Sequence, residues 1–465
     1  MARLKNLEVR LASSDCEIAQ AQALRYAVFY EELGAKPSAE VAAAKRDFDA
    51  LDENCDHLLV IDHEPPGGGR NVVGTYRLNL QSTQAHSGDF YSSGEYDIAA
   101  LINHPSRLLE VGRSCVASEY RKGSVMQMLW LGIAEYMAEN DVGIMFGCAS
   151  FAGADPAQHA YALSYLHHHH LAPPELRPRA LDRLRVDMAM LPKEEIEPQK
   201  ASAMLPPLIK GYLRLGGYVG DGAVIDYQFN TVDVCVIVEA SRIAERYYRG
   251  ACRIIGVKVQ VVGEPIRGGA VLFVSNHVSY IDVPVIGSQV ETRFIAKAEV
   301  ANWPFFGLCA KLAGTVFIRR DRRREVAAQR DHLVGLLDQG QSLFLFPEGT
   351  SSDGSGVLPF KSALLEVAGA GETTVQAVTV AYRDPDRAYA WHGDMTLIPH
   401  LGRLFTLKGT TAELTFHPPV SGREAGSRKE LARRLQAQVA SALPAAREAV
   451  QAQQEAAPAA ATEAS

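Results

Sequence analysis

Two histidines in this sequence are each followed, five residues later, by an aspartate: His57 with Asp62, and His277 with Asp282. A carboxylate bound to one imidazole nitrogen fixes the tautomer, so the other nitrogen can accept a proton from a hydroxyl. Such a pair is a candidate general base. Because the chain contains 14 histidines, one accidental match to this spacing is expected. The flanking elements must therefore decide between the two pairs.

The neighbouring sequence favours the second pair. The first pair lies in a β-rich run, and five residues along a strand place two side chains on opposite faces, about 17 Å apart. By contrast, His277 follows a predicted buried strand, and Ser279 has the pattern of a helix N-cap with Asp282 as its capping-box partner. A strand-to-helix turn of this kind can fold Asp282 back beside His277. The alternative is a capping box next to a structural histidine.

Three further segments of the second half combine strands with polar residues. They are residues 314–320 (GTVFIRR), a strand that ends in arginines, residues 346–350 (FPEGT), a loop suited to holding a ligand, and residues 360–361 (FK). Residues 319–324 hold five arginines, which would suit anionic lipid head groups or an acidic carrier protein. The alternative is an ordinary solvated surface.

Together these blocks resemble the PlsC-like family of glycerolipid and lysophospholipid acyltransferases, over roughly residues 255–400. The family's H-x4-D, G-x-x-F-I-x-R and F-P-E-G-T blocks appear in order and at similar spacing. The resemblance implies an α/β fold in which an acceptor hydroxyl attacks an acyl thioester directly, with His277 as general base and Asp282 orienting it. The acceptor-binding residues that it implies are Asn276, Arg320, Glu348, Gly349 and Thr350.

Residue 351 departs from the family pattern. Members that use phosphorylated acceptors usually carry an arginine after the F-P-E-G-T block, where this chain has Ser351. The difference removes a guanidinium that would bind a phosphate through two hydrogen bonds. It argues against a phosphorylated acceptor such as lysophosphatidic acid, although Arg320 leaves that acceptor open.

The first half carries charged residues of both signs at spaced positions. Arg25 lies on the first predicted helix, Asp47, Asp49 and Asp52 form an acidic cluster, Arg77 lies on a predicted strand, and residues 110–113 (EVGR) open the next strand. Each feature alone is ordinary, since three aspartates in six residues are most often a solvated turn.

As a set, these segments resemble the acyl-homoserine lactone synthase branch of the GNAT-like N-acyltransferase fold, and more fully the ornithine N-acyltransferases of ornithine-lipid synthesis. The match covers nearly all of residues 8–238, including the opening helix 24–32 (LRYAVFYEE) and the closing region 205–217. Amide formation from a thioester requires a deprotonated amine, an amino acid held by its charges and a stabilised oxyanion.

The resemblance implies roles for six of these residues. Glu110 would act as the base or orient the amine, and Asp49 and Asp52 would hold the side-chain ammonium of the amino acid. The residues expected to hold its carboxylate or to shape the site are Arg25, Arg77 and Arg113.

The expected acyl donor is an acyl carrier protein thioester, with no other cofactor. Residues 121–124 (RKGS) match the coenzyme A pyrophosphate loop, R-x-x-G-x-G/A, poorly, because their one glycine is out of register. Arginines at 177, 179, 183 and 185 would suit an acidic carrier protein. The four histidines at 167–170 suggest a metal, but only residues about one turn apart share a helix face. No metal site is predicted, since amide formation from a thioester needs none.

The pattern of elements predicts two α/β domains. Residues 1–238 form the GNAT-like domain, 239–256 an amphipathic connector, 257–425 the PlsC-like domain, and 426–465 a helical and then disordered tail. The connector would lie on a membrane surface or pack as a linker helix. Predicted helices are 19–33, 125–139 and 428–453, and predicted strands are 57–62, 72–80, 143–150, 232–238, 271–275, 314–318, 342–346 and 375–381.

Composition narrows the class of protein. The net charge of −7 gives no overall attraction to nucleic acid. Seven cysteines without a CxxC pair fit a reduced compartment. No run of about 18 apolar residues and no signal peptide are found in the sequence. We therefore expect a cytoplasmic protein bound peripherally to the inner face of a membrane.

The two resemblances imply one pathway. The first domain would acylate L-ornithine with a 3-hydroxyacyl group to give lyso-ornithine lipid, whose hydroxyl the second domain would acylate from a second thioester. The alternatives are a 1-acylglycerol-3-phosphate O-acyltransferase whose first domain only binds a carrier protein, and a first domain that acts as an autoinducer synthase on S-adenosylmethionine.

Overall fold

The computed structural model describes residues 3–66, 68–82, 90–303, 307, 310–311, 313–318, 323–370, 373–384, 386–422 and 427–443. The chain divides into two compact units, residues 1–243 and 244–465. Arg320 and the neighbouring arginines at 319 and 322 lie outside the described residues, as does the predicted disordered end of the tail.

The first unit is built on one mixed sheet. Its strands are β1 Arg3–Leu4, β2 Leu7–Leu11, β3 Asp56–Asp62, β4 Asn71–Leu80, β6 Arg107–Val116, β7 Val142–Ala152, β9 Arg185–Val186, β10 Tyr218–Val219, β11 Ala223–Asp226 and β12 Thr231–Glu239. Their order is β1-β2-β3-β4-β6-β7-β12-β11-β9, with β10 also paired to β12. A separate small ladder joins β5 Tyr96–Asp97 to β8 Arg179–Ala180.

Helices accompany this sheet. They are α1 Asp15–Tyr26, which continues as a π-helix over Ala27–Glu32, α2 Ala39–Ala44, α3 Ala99–Ile102, α4 Val125–Glu139, α5 Ala160–His170, α6 Pro198–Met204 and α7 Pro207–Arg214. The predicted helix at 125–139 matches α4, and the predicted strand at 57–62 is confirmed as β3. His57 and Asp62 therefore lie on one extended strand and cannot act as a pair.

Strands β6 and β7 are parallel, and they pair over only part of their length. Their register runs from Arg107 opposite Val142 to Glu110 opposite Phe146. Beyond that point β6 continues to Val116 and β7 to Ala152, each paired only with its outer neighbour, β4 or β12. The facing backbone edges of these described residues form a fork, and Glu110 stands at its base.

The second unit is a second mixed sheet with helices. Its elements are α8 Ala240–Ile254, β13 Val257–Val262, β14 Val271–Ser275, α9 Asp282–Gly287, β15 Arg293–Lys297, β16 Val316–Ile318, α10 Arg323–Asp338, β17 Leu343–Leu345, β18 Thr374–Tyr382, α11 Leu397–Leu404, β19 Thr410–Phe416, β20 Val420–Ser421 and α12 Arg428–Ser441. The strand order is β13-β19-β18-β14-β17-β15-β16, with β20 paired to β18.

Parallel pairing places two of the predicted functional loops at one edge of this sheet. Strand β14 runs parallel to both β17 and β18, so the carboxyl ends of β14 and β17 meet at the same edge. His277 follows the end of β14, and Glu348 follows the end of β17. This is the edge at which open α/β sheets usually bind ligands.

Both helices that flank the predicted second domain pack into the second unit's cores. Ala244, Tyr248 and Cys252, spaced at helical intervals on α8, are buried in one apolar cluster. The apolar face of the predicted connector is thus used for packing, which favours the linker-helix interpretation over a helix lying on a membrane. Leu431 and Leu435 of α12 are buried in the second cluster, so this part of the predicted tail belongs to the core.

The core position of α12 predicts a stability effect. Leu435 is fully buried, and Leu435→Ala should lower the free energy of unfolding of the second unit by about 2–5 kcal/mol, measured by chemical denaturation. Arg434→Ala on the exposed face of the same helix serves as control and should change it by less than about 0.5 kcal/mol. Equal effects of the two variants would contradict the packing of α12.

Candidate active sites

The structure brings His277 and Asp282 together. His277 Nδ1 lies 2.8 Å from Asp282 Oδ2, which also accepts the N–H groups of Val278 at 2.7 Å and Ser279 at 3.0 Å. A carboxylate oxygen only accepts, so Nδ1 carries the proton and Nε2 keeps a free lone pair. Asp282 is fully buried, whereas the His277 side chain is 20% exposed. This geometry suits a general base.

The local capping differs from the prediction in one respect. Helix α9 begins at Asp282 with Ile281 as N-cap, and Ser279 Oγ is buried without a hydrogen-bond partner among the described residues. Ser279 is therefore not a side-chain cap. The other half of the capping box is present, because Asp282 accepts the Ser279 N–H.

Tyr382 completes the surroundings of Asp282. Its hydroxyl, at the end of β18, donates to Asp282 Oδ1 at 2.7 Å. The ring of Phe346 stacks on the His277 imidazole with centroids 4.0 Å apart. Neither role was predicted from the sequence. Phe346 lay inside a quoted motif, but Tyr382 is 100 residues from Asp282 and no local pattern indicates the contact.

Glu348 lies beside this pair in a dry environment. Burial raises the pKa of Glu348 to about 8, although the backbone N–H groups of Leu358 and His277 offset part of that rise. Its Oε1 accepts the Leu358 N–H at 3.2 Å, and its buried Oε2 has no partner among the described residues. A carboxyl kept protonated in this way can donate a hydrogen bond to an acceptor oxygen.

The remaining predicted acceptor-binding residues take different places. The side-chain amide of Asn276 forms two hydrogen bonds with the backbone of Val380 on β18. Its Nδ2 donates to the Val380 carbonyl at 2.8 Å, and its Oδ1 accepts the Val380 N–H at 2.9 Å. It anchors the loop to the sheet. Gly349 has a φ of +72°, which favours glycine in this turn, and Thr350 is exposed. Arg320 is not among the described residues.

In the first unit, the predicted arginines and aspartates bind one another. Arg25 lies 2.8 Å from Asp47 and 2.7 Å from Asp52, Arg77 lies 2.6 Å from Asp49, and Arg113 lies 3.3 Å from Asp47 and 3.2 Å from Asp49. Burial would raise the pKa of Asp52, but Arg25 and Arg77 hold it at about 2. Within this network, the Asp49 side chain is the most accessible at 30% exposed.

Asp52 also accepts the Asp49 N–H in a capping box on the turn Ala50–Asn54. The charges expected to bind an amino acid therefore already have partners. Asp49 and Arg113 form the more accessible end of this network.

Glu110 binds backbone groups. Its carboxylate accepts the N–H of Tyr91 at 2.8 Å and of Ser92 at 2.7 Å, with Asn79 Nδ2 at 3.3 Å. It thereby holds the turn Tyr91–Gly94 over the base of the fork, and the guanidinium of Arg113 lies 4.8 Å from the centre of the Tyr91 ring. Its use as base or amine orienter stays a prediction.

The other groups considered for the first unit are held by local contacts. Arg121, in the loop compared with the coenzyme A motif, forms an ion pair with Glu32. His168 Nε2 lies 2.9 Å from the carbonyl of Leu191, and His170 Nε2 lies 3.1 Å from the Tyr165 hydroxyl. The two histidines thus have structural contacts.

The Arg–Asp network predicts unequal effects of its two aspartates. Asp52→Asn removes one of the two carboxylates that are ion-paired with the buried Arg25 and should destabilise the first unit by about 3–5 kcal/mol in chemical denaturation. Asp49→Asn at a partly exposed position should cost about 1 kcal/mol or less. Comparable losses in the two variants would show that the network does not stabilise the unit as described.

Glu348 predicts a pH dependence of stability. Its pKa is about 8 in the folded chain against 4.5 for an unperturbed glutamate side chain, so the unfolded state releases this proton at lower pH than the folded state. The resulting stabilisation is complete below pH 4.5 and is lost as the pH rises through 8. The stability of Glu348→Gln relative to the wild type should therefore increase between about pH 5 and 8. Thermal unfolding at each pH measures this difference. A difference that is constant with pH would contradict a buried, protonated Glu348.

Comparisons with known proteins agree with the division of the chain into two units. Two family models match, an acetyltransferase (GNAT) domain over residues 24–131 and an acyltransferase over residues 258–383. The N-terminal region is similar to the L-ornithine N(alpha)-acyltransferase of Agrobacterium fabrum, 48% identical over 248 residues that cover 53% of this chain and 85% of that protein.

The C-terminal region is similar to the lyso-ornithine lipid O-acyltransferase of Brucella abortus, 36% identical over 221 residues that cover 44% of this chain and 83% of that protein. A solved structure of a 1-acyl-sn-glycerophosphate acyltransferase from Thermotoga maritima is 22% identical, with a TM-score of 0.36, and covers 48% of this chain and 83% of that one. Within the described residues, no helix combines the length and apolar character needed to cross a membrane.

Proposed function

The chain belongs, through its two halves, to the L-ornithine N(alpha)-acyltransferase and lyso-ornithine lipid O-acyltransferase families, and on that premise we propose that it makes ornithine lipid in two consecutive acyl transfers. The observation that carries the proposal is the presence of both families in one chain, since N-acylation of L-ornithine by a 3-hydroxyacyl group would give the kind of acceptor that the name of the second family states. The alternative, a glycerol-phosphate acyltransferase with a non-catalytic first unit, is disfavoured by the same relatives.

In the first transfer, the α-amine of L-ornithine attacks the carbonyl of a 3-hydroxyacyl thioester. The amine loses a proton, the amide bond forms and the carrier thiol leaves. Beyond Glu110, the facing edges of β6 and β7 are not paired with each other in the described residues. The arm that carries the thioester contains amide groups, which can pair with one of these strand edges. Glu110 is proposed to orient the amine through the turn that it holds.

In the second transfer, the 3-hydroxyl of lyso-ornithine lipid is the nucleophile. His277 Nε2 accepts its proton while Asp282 holds the imidazole, the oxygen attacks the second thioester, and the proton passes to the departing thiol. Protonated Glu348, which interacts with the backbone N–H of His277, is proposed to donate a hydrogen bond to an oxygen of the acceptor. Ser351 in place of arginine suits an acceptor without a phosphate.

The donor is proposed to be an acyl carrier protein thioester. Arg121, the one arginine of the poorly matched coenzyme A loop, is paired with Glu32. Arg179, Arg183 and Arg185 are exposed, and Arg183 donates to the carbonyl of Gly94 in the turn that covers the fork. A basic surface at that point would attract an acidic carrier protein.

Association with a membrane surface is proposed for the second unit. Ile398 on α11 is 72% exposed and Phe405, which follows the helix, is 56% exposed. The same helix reaches the His277 segment, because His400 Nδ1 lies 3.0 Å from the Tyr280 hydroxyl. An exposed apolar surface beside the general base would let a lipid acceptor enter from a bilayer.

His277→Ala should separate the two transfers. Expressed in a bacterium that lacks ornithine lipid, the wild-type chain should produce the diacyl lipid, whereas the variant should accumulate the lyso form, with at least about a hundredfold less diacyl product. His332→Ala, at an exposed histidine of the same unit, is the matched control and should behave as the wild type. Lipid extracts are compared by mass spectrometry.

The purified chain, supplied with the same acyl group on acyl carrier protein or on coenzyme A, identifies the donor. Absence of both lipids from cells that contain folded wild-type protein would refute the proposed function. Diacyl lipid formed by His277→Ala would refute only the role of His277, and faster turnover with coenzyme A would refute only the carrier-protein donor.

A further inference from the structure

Three carboxylates gather on the face of the first-unit sheet that carries Glu110. Glu95, Asp226 and Asp233 each offer an oxygen, and these oxygens lie within 4.8 Å of one another. Val224 pairs with Asp233 in the β11–β12 hairpin, so Asp226, two residues along, projects from the same face as Asp233. Glu95 follows the turn Tyr91–Gly94 that Glu110 holds in place. No pattern in the sequence indicates this cluster.

Among the described residues, no basic side chain lies within 4.0 Å of a carboxylate of this cluster, and Arg113 acts on Glu95 and Asp233 from a longer distance. Asp226 Oδ1 accepts the N–H groups of Gln228 and Phe229, and Glu95 Oε2 accepts the thiol of Cys148 at 3.1 Å. Asp233 is only 5% exposed, yet its Oδ1 has no hydrogen-bond partner in the described part of the chain. A buried carboxylate oxygen without a donor is costly unless a ligand supplies one.

The cluster is electrostatically prepared for a cation. Burial, followed by the nearby Asp233, raises the pKa of Glu95 to about 7. Burial also raises the pKa of Asp233 to about 6, although the hydroxyls of Ser150 and Thr231 offset part of the effect. A bound positive charge would relieve both penalties.

The cluster adjoins the place proposed for amide formation. Cys148, which donates to Glu95, lies on β7 two residues beyond Phe146, where the pairing with β6 ends. An amino acid whose side chain reached the cluster would therefore have its α-amine at the fork.

We propose that Glu95, Asp226 and Asp233 form an ammonium subsite that binds the side-chain amine of the diamino acid acylated by the first unit, an inference that rests on the proposed function. A primary ammonium has three N–H donors, and acceptors at about 2.8 Å around its tetrahedral nitrogen lie about 4.6 Å apart, as these oxygens can. The subsite replaces Asp49 and Asp52 as the ammonium-binding group, because both of these are ion-paired with arginines.

L-Norvaline tests the subsite, because it has the carbon chain of L-ornithine without the side-chain amine. The purified full chain is given a 3-hydroxyacyl carrier-protein thioester with either amino acid, and where L-norvaline turns over slowly its inhibition constant is measured. Asp233→Asn and Asp226→Asn should each raise KM for L-ornithine about tenfold or more, with a smaller change in kcat. Both should leave the L-norvaline constants within about twofold, so that discrimination between the two amino acids collapses.

Two controls keep the result interpretable. Asp182→Asn makes the same change at an exposed aspartate and should leave KM for L-ornithine unchanged. O-acylation of lyso-ornithine lipid, measured on the same preparations, reports that each variant is an intact protein. The Asp233 and Asp226 variants should retain it.

Several outcomes would overturn the subsite. Equal loss with both amino acids would show a general role in the fold or the chemistry. Loss of N-acylation on treatment with EDTA, restored by a divalent cation, would make the cluster a metal site. A wild-type chain that acylates no amino acid would refute the proposed function and the subsite with it, whereas normal L-ornithine kinetics in both variants would refute the subsite alone.

Discussion

The fully buried carboxylate of Asp282 is the group on which the second unit's site depends. It accepts two backbone N–H groups of its own turn, the imidazole N–H of His277 and the hydroxyl of Tyr382. A buried charge is tolerated only when hydrogen bonds replace its lost hydration. The donors that meet this requirement also fix the turn, the tautomer of His277 and the contact with β18.

The first unit handles buried charge differently. Its arginines and aspartates pair with one another in a network that has little net charge to offer a ligand. Carboxylates that form no ion pair with the described residues occur further along the same sheet face, at Glu95 and Asp233. The network of ion pairs shapes this part of the unit, and the carboxylates without ion pairs are proposed to select a positively charged ligand.

Local pattern predicted much of this architecture. The bounds of α4, the strand at 57–62 and the proximity of His277 to Asp282 all follow from periodicity or from a single turn. Contacts between distant segments were not predictable. Tyr382 reaches Asp282 only because β18 pairs with β14, and Asp49 is ion-paired only because Arg77 and Arg113 come from two other strands. The core position of the helix Arg428–Ser441 could not be predicted either. Its composition is rich in charge and does not show which face of the helix packs against the rest of the unit.

The fork between β6 and β7 has a consequence for selectivity. Beyond Glu110, β6 and β7 are not paired with each other in the described residues, and a strand edge recognises amide groups without regard to the acyl chain that they carry. Carrier arms with and without cargo should therefore compete for the same strand edge. With the proposed carrier-protein donor, the empty carrier released in each turnover would therefore inhibit the next.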